Sequence, residues 1–314
     1  MKKIGTKNKE KLSQEQISEI VRLYVEERVR LRVLERKFHT KKIKNYIEDS
    51  GHKLRTFRDA KRLYPFNENY FDVIDTKDKA YWLGFMYADG CVTKGPKGQF
   101  IFQLSLKDLE SLLVFRKYLH SEKPITSSKQ SVRSFGKEGI KHTLCYSSIQ
   151  AYDALVKWGC TERKTFTLQF PTFLDKALIP HFIRGYFDGD GTVYTTYTNS
   201  TRNKKRGSAP NKIICYGFSG TYSFLEDLRK ELGLSKSCLR KDYRKTTDCW
   251  RINVSAIYKA KEFYTYIYSN CDDLYLKRKK DIFDNYFRER GSETIIADPE
   301  TGLRNGPISY ENMS

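Results

Sequence analysis

The sequence predicts an α+β protein in which two similar units, each ordered αββαββα, follow a small all-helical segment. The first observation is an apolar, helix-like stretch that ends in Asp-Gly and occurs twice, as YWLGFMYADG at 81–90 and FIRGYFDGDG at 182–191. The second is that each copy precedes the same succession of strand-like and helix-like runs. The third is that residues 1–60 carry helical periodicity only. Two like units in one chain suggest a pseudo-twofold arrangement.

The bulk composition narrows the class of partner. The 314 residues include 58 Lys and Arg against 38 Asp and Glu, a net charge of +20, and 39% are hydrophobic, which is enough for a core. A strong basic excess is typical of proteins that bind nucleic acid or an acidic membrane surface. No apolar run is long enough to span a bilayer, and the basic start lacks the apolar stretch of a secretory signal. We therefore expect a nucleic-acid partner and no membrane association.

The cysteines do not indicate a metal or redox motif. They number seven, and no two are spaced as CxxC. The histidines form no HxH or HExxH pair. We expect reduced, unpaired thiols.

The first domain, residues 1–60, is predicted to hold three short helices. Ser13 and Gln16 form a capping box before the first helix, and Thr40 is placed to cap the third, which stops at Gly51. The basic third helix suggests a helix-turn-helix that binds DNA. The alternative is a small bundle whose lysines are only solvated. The DNA-binding interpretation assigns contacts to Lys41, Lys42, Lys44 and Asn45, with phosphate contacts from Arg55 and Arg58.

A linker is predicted at 61–78, because it contains Pro65 and several Asn and Asp residues. The first repeat then covers 79–170 and the second 171–290, and 291–314 lacks periodicity and is expected to be a flexible tail. The strands are expected within 91–95, 99–108, 125–133 and 142–148 in the first repeat, and within 191–198, 212–221, 237–245 and 249–255 in the second.

The two motif segments carry the chemistry. Small residues lie four apart in each, Gly84 with Ala88 and Gly185 with Gly189, so one face of each helix allows close backbone approach. Packing through these faces would place Asp89 and Asp190 side by side among helix C-terminal carbonyls, where anions are disfavoured unless a cation is present. Hard oxygen ligands favour Mg²⁺ or a similar ion, which suits phosphodiester hydrolysis. The alternative is that each Asp-Gly pair is an ordinary turn. The motif occurs twice, each time after a helix with small residues four apart and before a pair of strands, and this repetition favours a metal site over two unrelated turns.

The paired motifs resemble those of the single-chain LAGLIDADG homing endonucleases, over roughly residues 66–285, and the N-terminal segment is similar to helix-turn-helix units of some members. The resemblance implies saddle-shaped antiparallel sheets and a metal-binding acid at Asp89 and Asp190, helped by the carbonyls of Ala88 and Gly189, with Mg²⁺ or Mn²⁺ as cofactor. Asp188, at the sixth motif position where the first motif has Tyr87, is expected to act at the helix end rather than as a metal ligand. A lysine near the metals is implied after the last helix of each repeat. Lys164 and Lys279 are the candidates, with Lys277 and Lys280 as competitors for the second place.

Such sheets lie over the DNA major groove, and strand alternation then decides which side chains reach the bases. A one-residue slip in register would exchange the faces. The basic segment 199–212 is interpreted as a loop that orders on DNA or as a solvated loop. The expected DNA-facing residues in the repeats are Cys91, Thr93, Gln103, Ser105, Arg133, Lys141, Thr192, Tyr194, Thr196, Thr198, Arg240, Arg244 and Arg251.

The resulting prediction is a monomeric, site-specific DNA endonuclease that depends on a divalent metal and makes a double-strand break in a long double-stranded target. The resemblance implies that the break has four-base 3′ overhangs. The resemblance implies a mobile intron, intein or free-standing element as the genetic setting. The cellular location would be the cytoplasm and nucleoid in a prokaryote or phage, and organellar or nuclear otherwise. Two alternatives stay open: a non-cleaving DNA-binding regulator or RNA maturase of the same fold, and a basic structural or RNA-associated protein.

Overall fold

The computed structural model describes residues 12–27, 29–54, 64–96, 98–130, 139–164, 167–198, 211–243 and 249–290. The chain divides into two compact units, Met1–Pro65 and Phe66–Ser314. Across the described residues, no helix combines the length and apolarity needed to cross a lipid bilayer.

The described residues of the first unit, 12–27 and 29–54, form three short helices at the places where the periodicity predicts them. They are α1 (Gln14–Val25), α2 (Leu31–Lys37) and α3 (Ile43–Asp49). Ser13 and Gln16 form the predicted capping box, with Ser13 Oγ accepting from the Gln16 amide and Gln16 Oε1 accepting from the Ser13 amide. The helices bury one small apolar cluster, made of Ile20, Leu23, Tyr24, Leu34, Ile43 and Ile47.

The second unit contains the two repeats. The first consists of α4 (Lys77–Ala88), β1 (Gly90–Lys94), β2 (Phe100–Leu106), α5 (Leu109–Tyr118), β3 (Thr126–Gln130), β4 (Gly139–Ser147) and α6 (Ile149–Lys157). The second consists of α7 (Ile179–Asp190), β5 (Thr192–Tyr197), β6 (Lys212–Gly220), α8 (Tyr222–Glu231), β7 (Leu239–Lys241), β8 (Trp250–Val254) and α9 (Ile257–Tyr268). Both follow the predicted αββαββα order.

Each repeat folds into a four-stranded antiparallel sheet, and the two strand orders correspond. The first sheet is β1-β2-β4-β3 and the second is β5-β6-β8-β7. Alternate residues pack on the helices: Val92, Phe102 and Leu144 in the first sheet, and Ile214 and Ile252 in the second, are at most 3% exposed. The residues between them lie on the opposite, outer face.

The two motif helices α4 and α7 cross at the small residues. A Cβ on Gly84 would lie 2.8 Å from the amide nitrogen of Tyr186 and still closer to the carbonyl oxygen of Phe182. A Cβ on Gly185 would lie 3.0 Å from the amide nitrogen of Phe85 and collide with the carbonyl oxygen of Tyr81. Only hydrogen at both positions permits this backbone-to-backbone contact, so the small residues pack as the sequence predicts.

Two features differ from the expectation. The linker assigned to 61–78 contributes Phe66, Tyr70, Phe71 and Ile74 to the core of the second unit, because aromatic side chains among the polar residues are buried there. After α9 the chain forms a further helix, α10 (Lys277–Glu289), which the αββαββα pattern does not contain. Most residues of α10 are charged or polar, but Phe283 and Tyr286 form a buried inner side of the helix. The predicted tail at 291–314 and most of the basic segment 199–212 lie outside the described residues.

Candidate active site and nucleic-acid interface

The crossing of α4 and α7 brings the ends of the two motifs together. Asp89 caps the C-terminus of α4, and Asp190 is the last residue of α7. A Cβ on Gly189 would collide with the methyl group of Ala88 and lie 3.2 Å from Oδ2 of Asp89. The residue next to Asp190 therefore contacts the residue next to Asp89.

The electrostatics at this point are those of a crowded acid pair. Both aspartates are open to solvent on one side. Partial burial, followed by the negative charge of Asp190, raises the pKa of Asp89 to about 6, while Lys279 and Lys164 oppose the shift. The effect of Asp190 on Asp89 means that the fold holds two carboxylates close together although they repel each other. A cation between them would therefore be stabilising.

Two lysines already lie at the ends of the motif helices. Lys164 Nζ donates to the carbonyl oxygens of Ala88 at 3.0 Å and Gly90 at 2.7 Å. Lys279 Nζ donates to the carbonyl oxygens of Phe187 at 2.5 Å, Gly191 at 2.5 Å and Gly189 at 3.3 Å. Cations at a helix C-terminus are favoured by the helix dipole.

The structure thus distinguishes among the three lysines that compete for the second position. Lys279 is 5% exposed and lies under the end of α7. Lys277 and Lys280 instead form ion pairs with Asp281 and Asp284 on α10 itself. Burial lowers the pKa of Lys279 to about 8, against the opposing effect of Asp188. The helical spacing of α10 explains the difference, because Lys279 shares a side with Phe283 and Tyr286, whereas Lys280 is turned towards Tyr264 of α9.

Asp188 and Arg184 are buried polar residues of α7 that hydrogen-bond the segment leading into α10. Asp188 accepts hydrogen bonds from the hydroxyl of Tyr81 at 2.9 Å and from the amide of Leu276 at 2.8 Å. Arg184, 1% exposed, donates to the carbonyl oxygens of Leu274 and Ile267. Since Leu276 directly precedes α10, these contacts position Lys279. Asp188 is 1% exposed, and the groups from which it accepts are Tyr81 of α4 and the amide of Leu276.

The available donors fit a hard divalent ion. Within the described residues no three His, Cys, Asp or Glu side chains cluster as a metal site. An ion at the motif ends would therefore be held by the two aspartates and by backbone oxygens, for which the carbonyls of Ala88 and Gly189 are the candidates. Carboxylate and carbonyl oxygens are ligands that Mg²⁺ and Mn²⁺ accept, with water completing the shell.

A cavity of about 320 Å³ opens beside Asp89. Lys107, Lys141 and Arg278 line it together with Asp89. Arg278 Nε also lies 3.3 Å from Oδ2 of Asp108 in the same wall. Basic side chains adjacent to an acidic, metal-suited centre are the complement of a phosphodiester. Of these three basic residues, the sequence analysis selected only Lys141. Lys107 directly follows β2 and Arg278 is near the start of α10, and neither belongs to a motif that would have indicated a role.

The strand register places the predicted DNA-facing residues on the outer faces of the sheets. In the first sheet, Cys91 is opposite Gln103 and Ser105 is opposite Thr143, while Val92 pairs with buried Phe102 on the other face. In the second sheet, Arg240 is opposite Arg251. The predicted residues that lie on an outer face are Cys91, Thr93, Gln103, Ser105, Lys141, Thr192, Tyr194, Thr196, Arg240 and Arg251. Thr198 follows β5, where its amide bonds the carbonyl oxygen of Asn211.

Other predicted contacts are in the first unit or outside the description. Lys41, Lys42, Lys44 and Asn45 are exposed around the start of α3. Arg55, Arg58, Arg133 and Arg244 lie outside the described residues. The outer face also contains Thr143, Cys145, Cys215 and Asn253, which the sequence analysis did not select. The alternation of their own strands is the signal that would have found them.

Comparison with known proteins gives structural neighbours only. No protein-family model and no curated protein matches the chain. Solved structures similar to it include the LAGLIDADG homing endonuclease I-SmaMI bound to cleaved DNA, at 15% identity over 67% of this chain and 87% of that one, with a TM-score of 0.43. They also include I-LtrWI bound to target DNA, at 13% identity over 70% and 89% with a TM-score of 0.44. The LAGLIDADG meganuclease I-CpaMI bound to uncleaved DNA has 12% identity over 68% and 90%, with a TM-score of 0.43.

Proposed function

We propose that this protein is a monomeric, site-specific DNA endonuclease of the LAGLIDADG type that depends on a divalent metal ion and cuts both strands of a long target. The observation that carries the proposal is the contact of Gly189 with Ala88, which brings Asp89 and Asp190 close together at the ends of two crossed helices, each of which leads directly into a sheet. One acid-bearing helix end per repeat matches one cut per strand.

Asp89 and Asp190 would hold Mg²⁺ or Mn²⁺ with the carbonyls of Ala88 and Gly189. Such an ion would supply an activated water and stabilise the charge on the leaving oxygen. Lys164 and Lys279 each contact a second carbonyl, of Gly90 and Gly191 respectively, so they remain beside the site when Ala88 and Gly189 bind the ion. From there their ammonium groups stabilise negative charge on the attacked phosphate.

The rest of the chain supplies DNA affinity. The outer faces of the sheets present hydroxyl, amide and basic side chains suited to base edges in the major groove. Lys107, Lys141 and Arg278 place positive charge beside Asp89, where the backbone of the target would pass. The helices α1, α2 and α3 of the first unit would act as a helix-turn-helix, with Lys41, Lys42, Lys44 and Asn45 on DNA. A mobile intron, intein or free-standing element is the proposed setting, with the cellular location following from its host.

The test is cleavage of a randomised double-stranded DNA library by the purified protein with Mg²⁺, followed by sequencing of the cut ends. A single long motif with a fixed stagger, absent for Asp89→Asn/Asp190→Asn, is the expected result. Cutting that persists in the double variant would contradict the metal assignment. Selective DNA binding without cuts would indicate the non-cleaving regulator or RNA maturase instead.

A further inference from the structure

The two sheets allow a position-by-position comparison within one chain. The glycines that end the motifs, Gly90 and Gly191, are equivalent. Ser105 is one residue past the partner of Gly90, and Ser219 stands at the same place in the second sheet. Their neighbours across the next strand are therefore equivalent too: Thr143 is opposite Ser105, and Arg251 is opposite Ser219.

The equivalence extends to the edge strands. Thr126 of β3 is opposite Thr143, and Arg240 of β7 is opposite Arg251. The same patch of outer face thus presents two threonines in the first repeat and two arginines in the second. In the first repeat, Thr143 Oγ1 is hydrogen-bonded to Ser105 Oγ at 2.9 Å.

The arginines are held through their Nε atoms. Arg251 Nε lies 3.3 Å from Oδ2 of Asp242, and Arg240 Nε donates to the carbonyl oxygen of Ser237 at 3.2 Å. A contact through Nε fixes the plane of a guanidinium group. Its terminal Nη groups are the donors that bind O6 and N7 of guanine in the major groove.

Asp242 is unusual because its carboxylate is buried beside an outer-face residue. It is only 3% exposed, whereas the Arg251 side chain retains 32% of its surface. Two arginines directly opposite each other on neighbouring strands repel. A buried carboxylate at this point offsets that repulsion and restricts Arg251 to one orientation, which is the preorganisation that a base contact requires.

We propose that Arg251, oriented by Asp242, reads a guanine in the half of the target bound by the second sheet, and that the equivalent place in the other half carries no such requirement because Thr143 stands there. This inference rests on the proposed function. It makes the target non-palindromic at one definable pair of symmetric positions. Arg251 is the specificity-determining residue, Asp242 is its positioning residue, and Arg240 adds positive charge at the edge.

The experiment is a binding selection from a randomised double-stranded DNA library without added Mg²⁺, performed with the wild-type protein and with Arg251→Thr, Arg251→Lys and Asp242→Asn. Lys241→Thr is the matched control, since Lys241 is one residue further on β7, is opposite Trp250 and faces the other side of the sheet. Binding is measured so that the outcome does not depend on cleavage.

We expect Arg251→Thr to lose about tenfold to hundredfold discrimination for guanine at one position and to leave the rest of the motif unchanged. Arg251→Lys keeps the positive charge but lacks the paired N–H donors of a guanidinium group. We expect it to lose the same guanine preference while its total affinity for DNA stays nearly unchanged. Asp242→Asn weakens the preference at that position only. Lys241→Thr retains it.

Three results would overturn the inference. One is a wild-type motif that the Arg251 variants leave unchanged, and another is a uniform loss at all positions in every variant, which would indicate a structural or general electrostatic role. In both cases the proposed endonuclease survives. The third is wild-type binding with no sequence preference, which would contradict the proposed function and this inference together.

Discussion

The close contact between the motif helices predicts that Gly185→Ala lowers the free energy of unfolding, whereas the same substitution in an ordinary helix raises it. Gly185→Ala in an ordinary helix interior stabilises by roughly 0.5–1 kcal/mol, because alanine loses less backbone entropy than glycine. Here the added methyl carbon would lie 2.8 Å from the carbonyl carbon of Tyr81, 3.0 Å from the amide nitrogen of Phe85 and closer still to the oxygen of Tyr81. Carbon atoms pack at about 3.5–4.0 Å, so α4 and α7 must separate by roughly 1 Å.

The expected result is a net loss of about 2 kcal/mol of unfolding free energy, because overpacking costs about 1–3 kcal/mol and exceeds the propensity gain. Cleavage should fall further, about 100-fold at temperatures where the variant is folded, since Asp89 and Asp190 would separate with the helices. Urea unfolding and single-turnover cleavage measure the two effects.

The control is Gly98→Ala. Gly98 has φ +74°, and an added methyl carbon would meet no heavy atom within 4 Å, so only the backbone penalty of about 1 kcal/mol applies. Cleavage by this variant should be unchanged. A Gly185→Ala protein that is as stable as the wild type, or more stable, would refute the close-crossing argument.

Three further predictions concern the lysines and a buried histidine. Lys279→Met should lower cleavage at least about 100-fold while Lys280→Met leaves it nearly intact, because only Lys279 reaches the end of α7; equal losses would show that the position within α10 is unimportant. Lys41→Ala/Lys42→Ala/Lys44→Ala should weaken DNA binding and reduce the magnitude of the slope of log affinity against log salt by up to about 3; an unchanged slope would remove the first unit from the interface. Burial, followed by the charge of Arg184, lowers the pKa of His181 to about 4, and its Nδ1 accepts from Arg184. Because the pKa of His181 in the folded protein lies below its unfolded value near 6.5, the free energy of unfolding is unaffected by the titration of this residue above pH 6.5. As the pH falls from 6.5 towards 4, protonation of His181 in the unfolded chain lowers that free energy by at most about 3 kcal/mol. Urea midpoints at pH 7 and pH 5 should differ less for His181→Gln than for the wild type, and equal pH dependence would contradict the assignment.

Much of the fold is predictable because it depends on local periodicity. Alternation places Val92 and Phe102 inside and Cys91 and Gln103 outside, and the register of both sheets agrees. Extra elements are harder to predict. The sequence of α10 is dominated by charged residues, so its composition does not indicate that Phe283 and Tyr286 form a buried side, which only the packing of the helix reveals. The segment from Phe66 to Ile74 has the composition of a linker, because its polar residues hide aromatic groups that are buried.

The sequence by itself determined the paired motifs, their small residues, the acids at their ends and the faces of the strands, since each follows from spacing along the chain. Only the tertiary structure decided which lysine of Lys277, Lys279 and Lys280 reaches the end of α7, and that Asp242 is buried beside Arg251. These contacts join residues whose proximity depends on how helices and sheets pack, and no periodicity encodes the distance between two elements. The local pattern therefore supplies the groups, and packing decides which of them act together.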